Sequence, residues 1–170
     1  MRIPLLAALV AVSACVPRRE PTPPPPAPPV AVPAPRPAPL ASDWQDWPVT
    51  PGSWTYRQDA RGSLALFGPA NADALVTLRC DRAARRLYLS RSGTAATPLT
   101  VRTSSTTRAL AMQPTGGTPP YVATALAATD PLLDAIAFSR GRVTLEQAGL
   151  APLVVPPYAE VARTIEDCRD

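Results

Sequence analysis

The sequence predicts a mainly β domain, either a small antiparallel β-sandwich or a barrel, with one short helix, a C-terminal helix and one disulfide. Two observations predict the sheets: from Ser53 onward apolar and polar residues alternate in short runs, and turn residues separate those runs. A third observation predicts the late helices: in the last forty residues, apolar residues recur every three to four positions instead of every second position. A disordered Pro-rich tether is expected ahead of this domain.

The predicted strands share period-two alternation and end at turn residues. They cover residues 54–57, 64–67, 74–80, 87–89, 99–103, 108–112, 121–126, 143–145 and 153–155. In the third of them Val76, Leu78 and Cys80 occupy one face. Hairpins at this spacing are typical of a small sandwich or barrel.

Two helices are predicted in the last third. Asp130 is a capping carboxylate and Pro131 suits the first helical position. The apolar stripe of this helix is formed by Leu132, Leu133, Ile136 and Ala137, and Gly141 is expected to end it. The C-terminal helix follows two prolines, and its expected apolar face comprises Tyr158, Val161, Ala162, Ile165 and Cys168.

The first fourteen residues have the organisation of an export signal. Arg2 precedes an apolar run that is too short to span a bilayer but fits the core of a signal peptide. The segment Val12-Ser13-Ala14-Cys15 resembles a lipobox, the processing site of bacterial lipoproteins. That resemblance implies cleavage after Ala14 and lipidation of Cys15, and Val16 after it suggests the outer membrane facing the periplasm. An ordinary secretory leader cleaved nearby is the alternative.

A Pro-rich linker follows. Of the 24 prolines in the chain, 12 lie between Val16 and Ser42. Proline excludes helix and interior sheet, so the segment favours polyproline II, and its 26 residues to Ala41 extend roughly 80 Å. The predicted organisation is therefore a signal peptide at 1–14, a lipidated cysteine and linker at 15–42, and a globular domain at 43–170. A ligand for a domain that recognises proline-rich peptides is the competing interpretation of this linker.

Charge and composition exclude several classes of function. The formal charge is +4, but from Asp43 onward 13 Arg face 12 Asp and Glu, a balance of only +1. A nucleic-acid partner is not expected, because affinity for phosphates needs positive charge on the folded surface. The absence of His removes the commonest general base and metal ligand, so no metal, cofactor or His-dependent catalysis is predicted.

The three cysteines are Cys15, Cys80 and Cys168. If Cys15 holds lipid, an even pair remains, and an oxidising compartment favours a bond between Cys80 and Cys168. Two separate buried thiols are the alternative. A catalytic thiol is not expected, since neither sulfur has a His or a CxxC partner to lower its pKa.

The order of elements in the last fifty residues suggests a family. A helix at 130–136, strands at 142–145 and 153–155, and a last helix ending near Cys168 resemble the tail of small exported proteins of the invasion-associated locus B type and of related type VI secretion accessory proteins. The resemblance implies an envelope location and protein interaction. It supplies no catalytic residues, and the mid-domain cysteines of that family are missing here.

Two clusters are candidate binding sites. Trp44 and Trp47, with Asp43 and Asp46 beside them, suit stacking on sugars, although these indoles and Trp54 would equally cover the open end of the core. A second cluster surrounds the turn after Cys80. Its arginines are Arg79, Arg82, Arg85, Arg86 and Arg91. The cluster would bind an anion through Arg82, Arg85 and Arg86; alternatively, all five arginines belong to a solvated turn and the outer strand face beside it.

The predicted function is that of a non-catalytic binding or structural module in the cell envelope. Its expected partners are the membrane, through the lipid anchor, and peptidoglycan or an envelope protein. The alternative is a periplasmic inhibitor of a lysozyme-like hydrolase. An enzyme that uses carboxylates alone is a third class, for which adjacent acids at the start of a domain lack rigid framing.

Overall fold

A computed structural model of the chain describes residues 40–170. The predicted signal peptide, the lipidation site Cys15 and the linker up to residue 39 lie outside the described residues. The described part is mainly β, with two antiparallel sheets, two α-helices and one disulfide, which confirms the predicted fold class. None of its helices is long and apolar enough to cross a membrane.

The first sheet has six strands in the order β1-β2-β3-β4-β8-β7. Its strands are β1 Ser53–Asp59, β2 Gly62–Gly68, β3 Val76–Asp81, β4 Arg86–Ser92, β7 Gln113–Pro114 and β8 Tyr121–Ala127. The second sheet has four strands in the order β10-β9-β5-β6. Its strands are β5 Leu99–Arg102, β6 Thr107–Leu110, β9 Val143–Gln147 and β10 Leu153–Val155.

Alternation along the strands places the core. In β3, Val76, Leu78 and Cys80 are buried, and the residues between them are partly exposed, as the sequence predicts. The tight β1–β2 connection ends at Gly62, where φ is 145° and a Cβ would lie 2.6 Å from the Cys80 carbonyl oxygen. Only glycine fits that position, because the start of β2 lies against the backbone at the end of β3.

One buried arginine joins the two sheets. Arg91 on β4 donates from Nη1 to the Leu145 carbonyl at 3.0 Å and from Nη2 to the Ala151 carbonyl. Burial lowers the pKa of this guanidinium. The expectation that Arg91 belongs to a solvated outer face is therefore wrong: it satisfies carbonyls where the sheets meet.

Helix α1 spans Pro131–Ala137 and begins as predicted. Asp130 Oδ1 accepts the Leu132 amide at 2.9 Å, and Leu132, Leu133 and Ile136 are buried. The expected end at Gly141 is wrong, because Phe138 already occupies the C-cap and the chain turns there toward β9. Gly141 lies in that later turn with a φ of 80°.

Helix α2 spans Ala159–Glu166 and packs Val161 and Ile165 into the core. The prediction that Tyr158 lies on the apolar face of this helix is wrong. Tyr158 is the N-cap residue and is 59% exposed. Cys168 is buried, in the turn that follows the helix. The short strand β7 and a 3₁₀ turn at Trp44–Asp46 escaped prediction, because pieces of two or three residues are too short to establish a period.

Candidate functional site

The segment that contains Trp44 and Trp47 is part of the folded domain. Asp43 Oδ1 accepts the Gln45 amide at 2.9 Å, which caps the 3₁₀ turn. The indole of Trp47 donates to the Ala41 carbonyl at 2.7 Å, and Arg142 donates to the carbonyl of Trp47. The segment therefore has a defined conformation.

The same segment then covers the edge of β10. The Thr50 amide donates to the Val154 carbonyl at 2.9 Å, and the Val154 amide donates to Thr50 Oγ1 at 2.9 Å. These bonds satisfy groups that an open edge strand would leave for another chain. The start of the domain is thus fixed to the second sheet.

The three tryptophans occupy different environments. Trp54 packs against the core, with its ring centroid 5.3 Å from that of Phe67 and its indole donating to the Pro156 carbonyl at 2.7 Å. It lines a small apolar cavity between the sheets. All three side chains are partly buried, but of the three only Trp54 packs against the buried core. The core-covering role considered for all three is therefore filled by Trp54.

Trp44 lines a shallow open groove. Residues 43–45 form one part of its lining and residues 102–107, from the β5–β6 hairpin, form the other. Trp47 is not among the residues that line it. The hairpin contributes mainly the hydroxyl side chains of Ser104, Ser105 and the neighbouring threonines.

A second open groove adjoins the first. Its lining includes Ser104 and Ser105 again, together with Asp134, Phe138 and Arg140. Phe138 is 76% exposed. Because the two serines line both grooves, Trp44, the 103–107 hairpin turn and Phe138 form one continuous surface, which we call the aromatic–hydroxyl surface.

The arginine-rich β3–β4 turn contacts the C-terminal segment. Arg82 Nε donates to the Asp167 carbonyl at 3.3 Å and Arg85 Nη2 donates to the Arg169 carbonyl at 2.7 Å. Carbonyls after a helix end lack intrahelical partners, and cations there also complement the helix dipole. Arg86 is the first residue of β4 and is exposed. Two of the three candidate anion-binding arginines therefore have a structural use.

The carboxylates beside this turn form ion pairs. Arg79 hydrogen-bonds to Asp59, with a shortest N–O distance of 2.8 Å, and lowers the pKa of that carboxyl to about 2. Arg61 lies 2.7 Å from Asp81 and holds the pKa of Asp81 below its usual range. Of the five arginines that suggested an anion site, Arg79 is therefore neutralised by a carboxylate.

The C-terminal segment is held at several points. Cys80 and Cys168 form the predicted disulfide, with their Cα atoms 5.3 Å apart. Tyr56 Oη donates to Asp167 Oδ2 at 2.6 Å. Burial raises the pKa of Asp167, but the hydrogen bond from Tyr56, together with the nearby charges of Arg82 and Arg163, leaves the pKa below its usual range.

Arg169 anchors the last residues to α1. It donates to Asp134 Oδ1 at 2.7 Å and to the Ala128 carbonyl at 3.0 Å. The chain after α2 is therefore fastened both to the first sheet and to α1.

No protein-family model, curated protein or solved structure matches this sequence. The resemblance to exported envelope proteins therefore stays a prediction. Within residues 40–170, no three carboxylate or thiol side chains converge in a way that would hold a metal ion.

Sequence reasoning identified Trp44 but missed its neighbours on the aromatic–hydroxyl surface. Phe138 lies two residues after Ile136, about 200° around a helix from the buried stripe. An aromatic residue off the apolar stripe was an available signal. The Ser104–Ser105 turn offered none, because its position beside both Trp44 and α1 depends on tertiary structure.

Proposed function

We propose that this chain is a lipid-anchored cell-envelope protein whose 43–170 domain is a non-catalytic binding module for a protein or a cell-wall component. The lipobox-like segment ending at Cys15 and the Pro-rich linker support the anchorage. The disulfide between Cys80 and Cys168 is consistent with an oxidising compartment outside the cytoplasm.

One observation supports binding above the others: the aromatic–hydroxyl surface. A large aromatic ring that is 76% exposed at Phe138 adjoins a polar hairpin turn and a second ring at Trp44. Binding sites combine apolar area with a few placed polar groups in this way. Phe138 is not part of the buried core, so its ring is available to a partner.

A non-catalytic role is supported by how the nearby carboxylates are used. Asp134 is paired with Arg169 at 2.7 Å, and Asp130 accepts two hydrogen bonds from Arg108 at 2.9 Å each. Ion pairing lowers the pKa of Asp130, which is the opposite of what a general acid needs. With no His in the chain, the commonest proton-transfer group is missing.

The test combines fractionation with site-specific crosslinking in the native cells. We expect the full chain in the membrane fraction and a Cys15→Ser variant lost from it. A photoreactive residue at Ser105 should form adducts with an envelope protein or with wall material, whereas one at the exposed Ala72 should not. Membrane association that survives Cys15→Ser, or equal adducts from both positions, would contradict the proposal.

A further inference from the structure

The aromatic–hydroxyl surface is built on a turn whose shape does not depend on a ligand. The Thr103 amide donates to the Thr106 carbonyl at 2.8 Å, and Thr103 Oγ1 accepts the Thr106 amide at 3.0 Å. The Ser105 amide also donates to Thr103 Oγ1, at 3.3 Å. A turn closed by its own hydrogen bonds is ordered before binding, which reduces the entropic cost of holding a ligand.

The turn is also tied to the end of α1. The Ser104 amide donates to Ser139 Oγ at 3.0 Å, and Ser104 Oγ accepts the Arg140 amide at 3.0 Å. Ser139 Oγ donates in turn to the Arg142 carbonyl at 2.6 Å. These bonds fix the turn relative to the residues on both sides of Phe138. Thr106 in the turn and Thr107 at the start of β6 are both exposed.

The charges around the surface balance. Two acidic residues, Asp43 and Asp134, and two basic residues, Arg102 and Arg140, line its grooves. Arg102 is also 3.4 Å from Glu146, so part of its charge is already neutralised. A polyanion such as a nucleic acid or a bed of acidic lipid headgroups needs an excess of positive charge, which this surface lacks. Its chemistry suits a ligand with little net charge.

Two aromatic rings separated by hydroxyls match the chemistry of a sugar chain. A pyranose ring has C–H faces that pack on an aromatic ring and an edge of hydroxyl and amide groups that exchange hydrogen bonds. Trp44 and Phe138 supply the ring contacts, and the hairpin turn between them supplies donors and acceptors.

We propose that the aromatic–hydroxyl surface binds the glycan strand of peptidoglycan, the chain of N-acetylated amino sugars, with Trp44 and Phe138 each against a sugar ring. The assignment rests on the proposed function, which places the domain in the envelope. It also excludes Trp47 from the site, since its indole N–H is bonded to the Ala41 carbonyl and it does not line either groove.

Co-sedimentation with purified, protein-free sacculi tests the proposal. The probe is the full chain, purified in detergent, compared with Trp44→Ala, Phe138→Ala and the control Tyr158→Ala. Tyr158 is a matched control, because it too is an exposed aromatic beside a helix end but lies away from both grooves. We expect either groove variant to raise the apparent Kd about tenfold, equivalent to about 1.4 kcal/mol, and Tyr158→Ala to leave it unchanged.

Competition identifies which part of the wall is bound. A soluble β-1,4-linked tetramer of N-acetylglucosamine should displace the protein from sacculi, and free stem peptide should not. Unfolding midpoints equal to wild type ensure that the variants report on binding. The proposal is overturned if the wild type does not sediment with sacculi, if stem peptide alone competes, or if Tyr158→Ala loses as much binding as the groove variants. Envelope crosslinks without sacculus binding would sink this inference and leave the proposed function standing.

Discussion

Removing the bond between Cys80 and Cys168 measures how much the fold depends on closing its C-terminal segment. The two residues are 88 positions apart, so the bond closes most of the domain into one loop. In the chain-entropy treatment a loop of that length stabilises the folded state by about 4–5 kcal/mol, chiefly by restricting the unfolded chain. That is a large share of the roughly 5–15 kcal/mol typical of natural domains.

The rest of the C-terminal attachment survives the change. Tyr56 still donates to Asp167, and Arg169 still bonds to Asp134 and the Ala128 carbonyl. The variant Cys80→Ala with Cys168→Ala should therefore keep its native far-ultraviolet circular dichroism while its free energy of unfolding falls by about 4 kcal/mol.

Urea unfolding of the full chain, followed by circular dichroism and by tryptophan fluorescence, supplies the measurement. Wild type unfolded under reducing conditions is the matched comparison, and it should agree with the double variant. A loss below about 1 kcal/mol would refute the reasoning, because it would mean that the loop is already restricted in the unfolded state or that the bond is not formed. Thiol titration of native protein separates those two explanations.

Two further predictions concern charged groups. Asp130→Ala removes both the cap of α1 and the partner of Arg108, and should lower the free energy of unfolding in urea by about 1–2 kcal/mol. Asp130→Asn keeps the cap and should lower it less. Equal losses in the two variants would contradict the capping argument. The pKa of Asp59 is about 2 in the folded state and near 4 in the unfolded chain. Its ionised carboxylate therefore stabilises the fold at pH values above about 4, and that stabilisation is lost as pH falls from about 4 toward 2. Thermal midpoints at pH 7, 4 and 2 should show this fall, with a shallower one in Asp59→Asn; identical slopes would refute the assignment.

Local pattern predicted the elements well. The alternation of Val76, Leu78 and Cys80 gave the inward face of β3, and Asp130-Pro131 gave the start of α1. Each of these features is decided within a few residues by side-chain period or by capping chemistry. The two wrong predictions, at Tyr158 and Gly141, both concerned the ends of helices. Helix ends depend on what the neighbouring chain contacts, which a local pattern does not show.

Strand order could not be predicted in the same way. β4 pairs with β8, whereas the chain between them forms β5 and β6 of the other sheet and the short edge strand β7. No local signal distinguishes that pairing from a continuous meander. The buried Arg91 is a consequence of the same arrangement, because its carbonyl partners Leu145 and Ala151 come from the second sheet and its β9–β10 connection.

The candidate site also contains residues that the sequence predicted and residues that only the tertiary structure brings together. Composition identified Trp44, and cysteine counting identified the bond between Cys80 and Cys168. The aromatic–hydroxyl surface needed tertiary structure, since residues 44, 104 and 138 are distant in sequence. The basic turn shows the reverse case: its charge suggested ligand binding, but Arg82 and Arg85 hydrogen-bond to backbone carbonyls of the C-terminal segment.

Intact-mass and peptide mass spectrometry of the protein isolated from its native membranes tests the central proposal most directly. We expect a mature chain that begins at Cys15, with a diacylglyceryl thioether on its sulfur and an acyl chain on its nitrogen. An unmodified Cys15, or a chain that retains residues 1–14, would contradict lipid anchorage and with it the envelope function proposed here.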